Sequence, residues 1–148
     1  MRSGLKRGMC DPSVAAAALG SKPEYLLKDF KTFGFLFESL VMRDLKVYSS
    51  ALGGRLSYYR DRYGLEADAV LHLKNGRYAL IEIKLGSSEI EEGASHLLEI
   101  RQLIRKHNQT ERQCPLEEPG LLMVITGGSM GYTRPDGVHV LPISALKP

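Results

Sequence analysis

Asp68, Glu82 and Lys84 are the residues of this 148-residue chain whose types and spacing suggest chemistry. Glu82 and Lys84 stand two apart in RYALIEIKL (77–85), a run with the composition of a strand, so their side chains leave the same face. Asp68 lies in the preceding run, EADAVLHL (66–73), across a turn made of Lys74, Asn75 and Gly76. A three-residue loop ending in a left-handed Gly76 pairs Leu73 with Arg77. That register sets Asp68 opposite Glu82, Glu66 opposite Lys84 and Val70 opposite Leu80. The other face then carries Ala67, Ala69, Leu71 and Leu73 against Ala79, Ile81 and Ile83, all apolar. A two-residue Asn-Gly turn would mix the two sets, and register follows the apolar face.

Carboxylates directly opposite one another destabilise a sheet unless something compensates. Two of them can hold a hard divalent cation, Mg²⁺ or Mn²⁺, with waters completing its shell. A lysine on the same face can orient the attacking water or stabilise charge on a phosphate. Glu38, on a helix upstream, is placed to approach from above and add an oxygen. The chemistry suggested is metal-assisted attack of water on a phosphodiester. A plainer reading stands beside it: Glu-x-Lys on a strand is usually a solvated face, here with a Glu66–Lys84 ion pair. The acid–acid pair, the turn, the upstream acid and the order of elements together favour the metal site.

Those residues need elements to position them. Asp11-Pro12 reads as an N-cap followed by proline at the first helical position, with Gly20 as the stop and a further helical stretch at 22–29. Apolar residues at Phe30, Phe33, Phe37, Leu40, Val41, Val47, Tyr48 and Ala51 predict a helix over 30–52, ended by Gly53-Gly54. Asp44 falls near the middle of that stripe and Glu38 on its flank. Strands are predicted at 55–60, 66–73, 77–85, 120–126 and 137–142. A helix at 89–108 carries Ile90, Ala94, Leu97, Leu98 and Ile104 on one face. Ser87 or Ser88 would cap it, with Glu91 and Glu92 near its positive end. The order α-β-β-β-α-β-β predicts an α/β (α+β) fold: a mixed sheet flanked by helices, with 1–29 as a helical extension and 30–148 as the domain.

Other features are weaker. Gly127-Gly128-Ser129-Met130-Gly131 follows a strand but lacks phosphate-loop spacing, and Pro135-Asp136-Gly137 reads as a turn. Arg101 lies within the apolar stripe of the 89–108 helix. It would either contact a phosphate or pack its stem and pair with an acid such as Asp44. Tyr58 and Tyr59, flanked by Arg55 and Arg60, suit either base stacking or a half-buried strand. The net charge of +3 permits an anionic partner without requiring one. Cys10 and Cys114 have no metal-ligand spacing and fit free thiols in a reducing cytosol. The four scattered histidines give no zinc-finger pattern. The basic start MRSGLKRGM is not followed by a hydrophobic signal segment, so a cytoplasmic protein with no membrane association is expected.

The stretches DPSVAAAALG, FGFLFESLVMRDL and GLEADAVLHLKNGRYALIEIKLG, with Asp68 followed by Glu82-Ile83-Lys84, resemble the PD-(D/E)xK phosphodiesterase superfamily, which includes restriction enzymes and Holliday-junction resolvases. The closer resemblance is to the uncharacterised C-terminal domain that follows the AAA-type ATPase module of many bacterial and archaeal ATPases. It spans most of residues 11–86, with weaker agreement beyond. The resemblance implies a restriction-endonuclease-like core, with metal on Asp68, Glu82 and the Ile83 carbonyl, Lys84 positioning the water and Glu38 assisting. Ala67 stands where the superfamily's name has proline. It also implies that nucleic acid is the substrate and that an ATPase module is the partner within a longer protein. The Walker A pattern is absent, so no ATP site is expected in this chain. A second function is consistent with the same fold: a catalytically silent module that recognises a partner or nucleic acid for the ATPase.

Overall fold

The computed structural model describes residues 8–9, 11–20 and 22–147; Cys10 and the basic segment 1–7 lie outside the described residues. Helix α1 spans Pro12–Ala18, and the Asp11 carboxylate accepts from the Ser13 N–H at 2.8 Å, as the Asp-Pro pair predicts. A single turn, α2 (Pro23–Leu26), replaces the longer stretch expected at 22–29. Helix α3 spans Phe30–Ala51, capped by the Asp29 carboxylate accepting from the Thr32 N–H. Its buried residues are Phe37, Val41, Leu45 and Ser49. Asp44 is therefore beside the stripe rather than in its middle, and its carboxylate pairs with Arg43 at 2.9 Å. Gly53, with φ +65°, supplies the left-handed residue that turns the chain into the sheet.

The sheet has six strands in the order β1-β2-β3-β4-β6-β5. Strands β1 (Arg55–Arg60), β2 (Glu66–His72) and β3 (Tyr78–Lys84) form an antiparallel meander. A crossover through α4 (Ile90–Thr110) then lays β4 (Leu121–Thr126) parallel to β3. Strand β6 (His139–Pro142) is parallel to β4, and the two-residue β5 (Tyr132–Thr133) pairs antiparallel with β6. The result is a mixed α+β domain with helices against both faces of the sheet. Strand β5 has no counterpart among the predicted strands. The Pro135-Asp136-Gly137 turn closes the β5–β6 hairpin, with the Gly137 N–H donating to the Arg134 carbonyl.

Alternation along the strands splits the core in two. On one face Ala69, Ala79, Ile81, Ile83 and Ile125 pack under Phe37, Val41 and Leu45 of α3. On the other Val70, Leu80, Leu122, Val124 and Val140 pack under Ile90, Ala94, Leu97 and Ile100 of α4. No serine side chain caps α4. A 3₁₀ turn, Ser87–Glu89, leads into it, and the Glu89 carboxylate accepts from the Gly86 N–H. Among the described residues no helix is long and apolar enough to cross a membrane.

Candidate functional site

The hairpin has the register that the apolar face demands, as far as it runs. Ala69 pairs with Ile81, Val70 with Leu80 and Leu71 with Ala79, and Gly76 closes the turn at φ +84°. The pairing ends there instead of continuing to Asp68 and Glu82. Along the β1–β2 ladder, Ser57 pairs with Val70 but Tyr59 with Ala67, so β2 carries one extra residue. Such a bulge turns side chains off the regular alternation. Ala67 accordingly joins the α4-side cluster while Ala69 joins the α3-side cluster, not the shared face expected. Asp68, inside the bulge, uses a carboxylate oxygen to accept the Ile83 N–H at 2.9 Å. A side chain thus takes the place of a ladder bond. The expected Glu66–Lys84 pair is absent: Glu66 pairs with Arg60 across the bulged ladder at 3.6 Å.

Glu82 is carried by the α4 side of β3 and is 2% exposed. Lys84, next along the same face, places its ammonium 3.3 Å from Glu82 and 3.5 Å from Glu92 of α4. Burial is the main reason the Glu82 carboxyl is pushed up to about 8; Asp68 raises it further and Lys84 opposes the rise. Burial by itself would lower the Lys84 ammonium, but Glu82, Glu92 and Asp68 together hold it above its ordinary value. One oxygen of Glu82, Oε1, is buried with no hydrogen-bond partner among the described residues, and so is Nδ1 of His96. His96 reaches in from α4, with Nδ1 3.8 Å from Glu82 Oε2.

Gly93 explains how a helix fits so closely over charged side chains. A Cβ at this position would lie 3.2 Å from Lys84 Cε and 3.3 Å from Glu82 Cβ. Gly93→Val is expected to lift α4 from β3 and cost about 1–3 kcal/mol in urea unfolding, the usual range for overpacking. An unchanged midpoint and slope would show that the helix has room to spare. Arg134, unremarked in the sequence, ties the start of α4 to the β5–β6 hairpin. It donates to both carboxylate oxygens of Glu91 and to Asp136 at 2.9 Å.

The remaining predicted residues fall at different distances from Glu82. Glu38 lines an open groove of about 790 Å³ with Phe33, Gly34, Ile83 and Lys84, at the end of β3 beneath α3. Arg101 does not pair with Asp44, which lies across the sheet. It donates weakly to the Asp136 carbonyl at 3.5 Å. Two helical turns separate it from Gly93, about 12 Å along the axis. Tyr58 and Tyr59 are exposed on the edge strand, where Ser57 Oγ and His72 Nε2 lie 3.0 Å apart. Among the described residues no three His, Cys, Asp or Glu side chains form a group able to hold a metal ion between them.

A mixed α+β domain with a bulged central hairpin and a helix-covered Glu–Lys pair is the class that fold and site define. Residues 33–146 match the family described as Domain of unknown function (DUF4143), and the chain belongs to that family. No curated protein and no solved structure gives a significant match.

Proposed function

We propose that the domain is a divalent-metal-dependent nucleic-acid phosphodiesterase with a restriction-endonuclease-like core, working as the C-terminal part of an AAA-type ATPase. The observation that carries this reading is Glu82. A carboxylate that is 2% exposed, with one oxygen unpartnered and Asp68 adding negative field, is poorly compensated by a single lysine. A cation shared by Asp68 and Glu82 would satisfy both, and the oxygen donors suit Mg²⁺ or Mn²⁺. Two carboxylates are enough where waters fill the rest of the shell, so the residues present fit the group.

Asp68, Glu82 and the Ile83 carbonyl would hold the ion, Ile83 standing between Glu82 and Lys84 in sequence. When bound it supplies Lewis acidity toward a phosphoryl oxygen. The remaining work belongs to the chain. Lys84, steadied by Glu92, presents an ammonium to the attacking water or the phosphate charge. The Ile83 N–H fixes the Asp68 carboxylate. Glu38 shares the groove with Lys84 and is placed to orient water from the open side. The net charge of +3 favours a polyanionic substrate. DUF4143 domains often occur in AAA-type ATPases, which supports the partner. Exposed Val14, Leu19, Tyr25 and Leu27 on the leading helices suit a junction with such a module.

One observation favours the second reading, a silent recognition module: α4 covers Glu82 so closely that, of the proposed site residues, Glu38, Ile83 and Lys84 line the groove and neither carboxylate meant for the metal does. Incubation of duplex, single-stranded and branched DNA with the domain and Mn²⁺ separates the two. Metal-dependent cleavage of any of them supports the phosphodiesterase. Failure on all, repeated with the ATPase module present, would leave the silent module.

A further inference from the structure

A second cluster of reactive side chains lies at the other end of β3, away from Glu82. Tyr78, Leu80 and Glu82 alternate along the α4 side of that strand, which puts Tyr78 about 13 Å from Glu82. His72 pairs with Tyr78 across the hairpin, and their rings stack with centroids 6.0 Å apart and planes at 26°. On β1, Ser57 pairs with Val70, which sets it diagonal to His72 on the same face. Its Oγ lies 3.0 Å from His72 Nε2. A nucleophile and a base are thus within hydrogen-bond reach, and a third group, the Tyr78 ring, holds the plane of the base. Tyr78 is itself fixed, donating its hydroxyl to the Glu117 carbonyl at 2.7 Å.

Ser57 and His72 open on a cavity of about 410 Å³. Val70 and Leu80 of the sheet floor it, and Ile100, Leu103 and Ile104 of α4 form the facing wall. No carboxylate, ammonium or guanidinium lines it, so a charged ligand would find no counter-charge there. Leu103 and Tyr58 leave large apolar surface open at the cavity, which an apolar ligand would cover. From this geometry we propose that Ser57 and His72 form a nucleophile–base pair that cleaves neutral esters of apolar acids, with the acyl chain in the cavity. Ser57 Oγ bonds to the ester carbonyl carbon while its proton passes to His72 Nε2. The C–O bond to the alcohol then breaks, and the departing oxygen takes that proton from Nε2. Water repeats the sequence at the acyl-serine, releasing the acid and restoring Ser57. The site needs no cation and stands independently of the Asp68–Glu82 reading.

Labelling of the full chain by phenylmethylsulfonyl fluoride, a neutral aromatic reagent for activated serines, tests this, with EDTA present to exclude metal-dependent cleavage. Peptide mass spectrometry locates the adduct. The expected result is one adduct, on Ser57, absent from Ser57→Ala and from wild type unfolded in urea. His72→Gln keeps a hydrogen-bonding group beside Ser57 and should slow labelling at least about a hundredfold. Thermal melts establish that both variants fold. A second readout is hydrolysis of p-nitrophenyl esters, which should rise roughly fourfold per methylene from acetate to butyrate as the chain fills the cavity. A hydrogen bond that merely braces β1 to β2 gives no adduct on Ser57, or equal labelling of wild type and His72→Gln, and either result would overturn the proposal. A hydrolysis rate indifferent to acyl length would overturn the cavity as the acyl site.

Discussion

Lys84→Ala is expected to lower Mn²⁺-dependent phosphodiester cleavage about a hundred- to a thousandfold, the usual loss when a group aimed at developing charge is removed. The geometry sets what should not change. Lys84 lies between Glu82 and Glu92 and supplies no donor atom to a cation, so Mn²⁺ affinity should be kept or rise slightly once a neighbouring positive charge is gone. Side-chain exposure of 17% means that the aliphatic stem is packed, and a modest loss of stability accompanies the loss of charge. Lys84→Met separates the two effects by keeping the stem. A cleavage rate within a few-fold of wild type in either variant would remove the lysine from the chemistry, and metal titrations on the same samples show whether the binding site survived.

Glu82→Gln should stabilise the metal-free domain in alkaline solution. The folded-state carboxyl is raised, chiefly by burial, from 4.5 to about 8, so the folded chain binds the proton more tightly than the unfolded one. The sign follows from linkage. Stability is fully present below pH 4.5, falls as pH rises and levels off above about pH 8. The span corresponds to a contribution on the order of 3–5 kcal/mol. A glutamine has no proton to lose, so the variant should match wild type in acid and melt at higher temperature in alkali. Parallel melting curves across that range would show that Glu82 is ionised in the fold without penalty. Saturating Mn²⁺ should narrow the difference, because a cation stabilises only the charged wild-type carboxylate.

Most elements were legible because they obey simple periods. The strand positions came from runs of β-branched and aliphatic residues, and α3 and α4 from helical spacing closed by glycine or polar residues. The β2–β3 register was readable from the need to keep Ala69, Leu71, Ala79 and Ile81 on one face. The bulge at Asp68 was not, because one extra residue in β2 is set by how β1 and β3 each pair with it, and no local pattern encodes that. It moved Asp68 out of the pairing expected with Glu82 and gave Glu66 to Arg60. Strand β5 carries no such signal, because two exposed residues have no core pattern. His96, whose Nδ1 approaches Glu82, interrupts no apolar period, so helical spacing alone does not single it out. Gly93 was the available signal: a glycine within a helix costs about 1 kcal/mol relative to alanine, and its presence marks a close approach.

The sheet's two borders bear on how the domain meets other chains. A border strand with free backbone groups invites another strand to add on. Here one border, β1, carries Arg55 and Arg60 at its ends and faces the bulge in β2, which twists it away from flatness. The other border, β5, is two residues long and too short to template a ladder. Strand addition, and with it fibrous self-association, is therefore disfavoured at both ends. The sheet is thereby left as an internal support between the helices on its two faces.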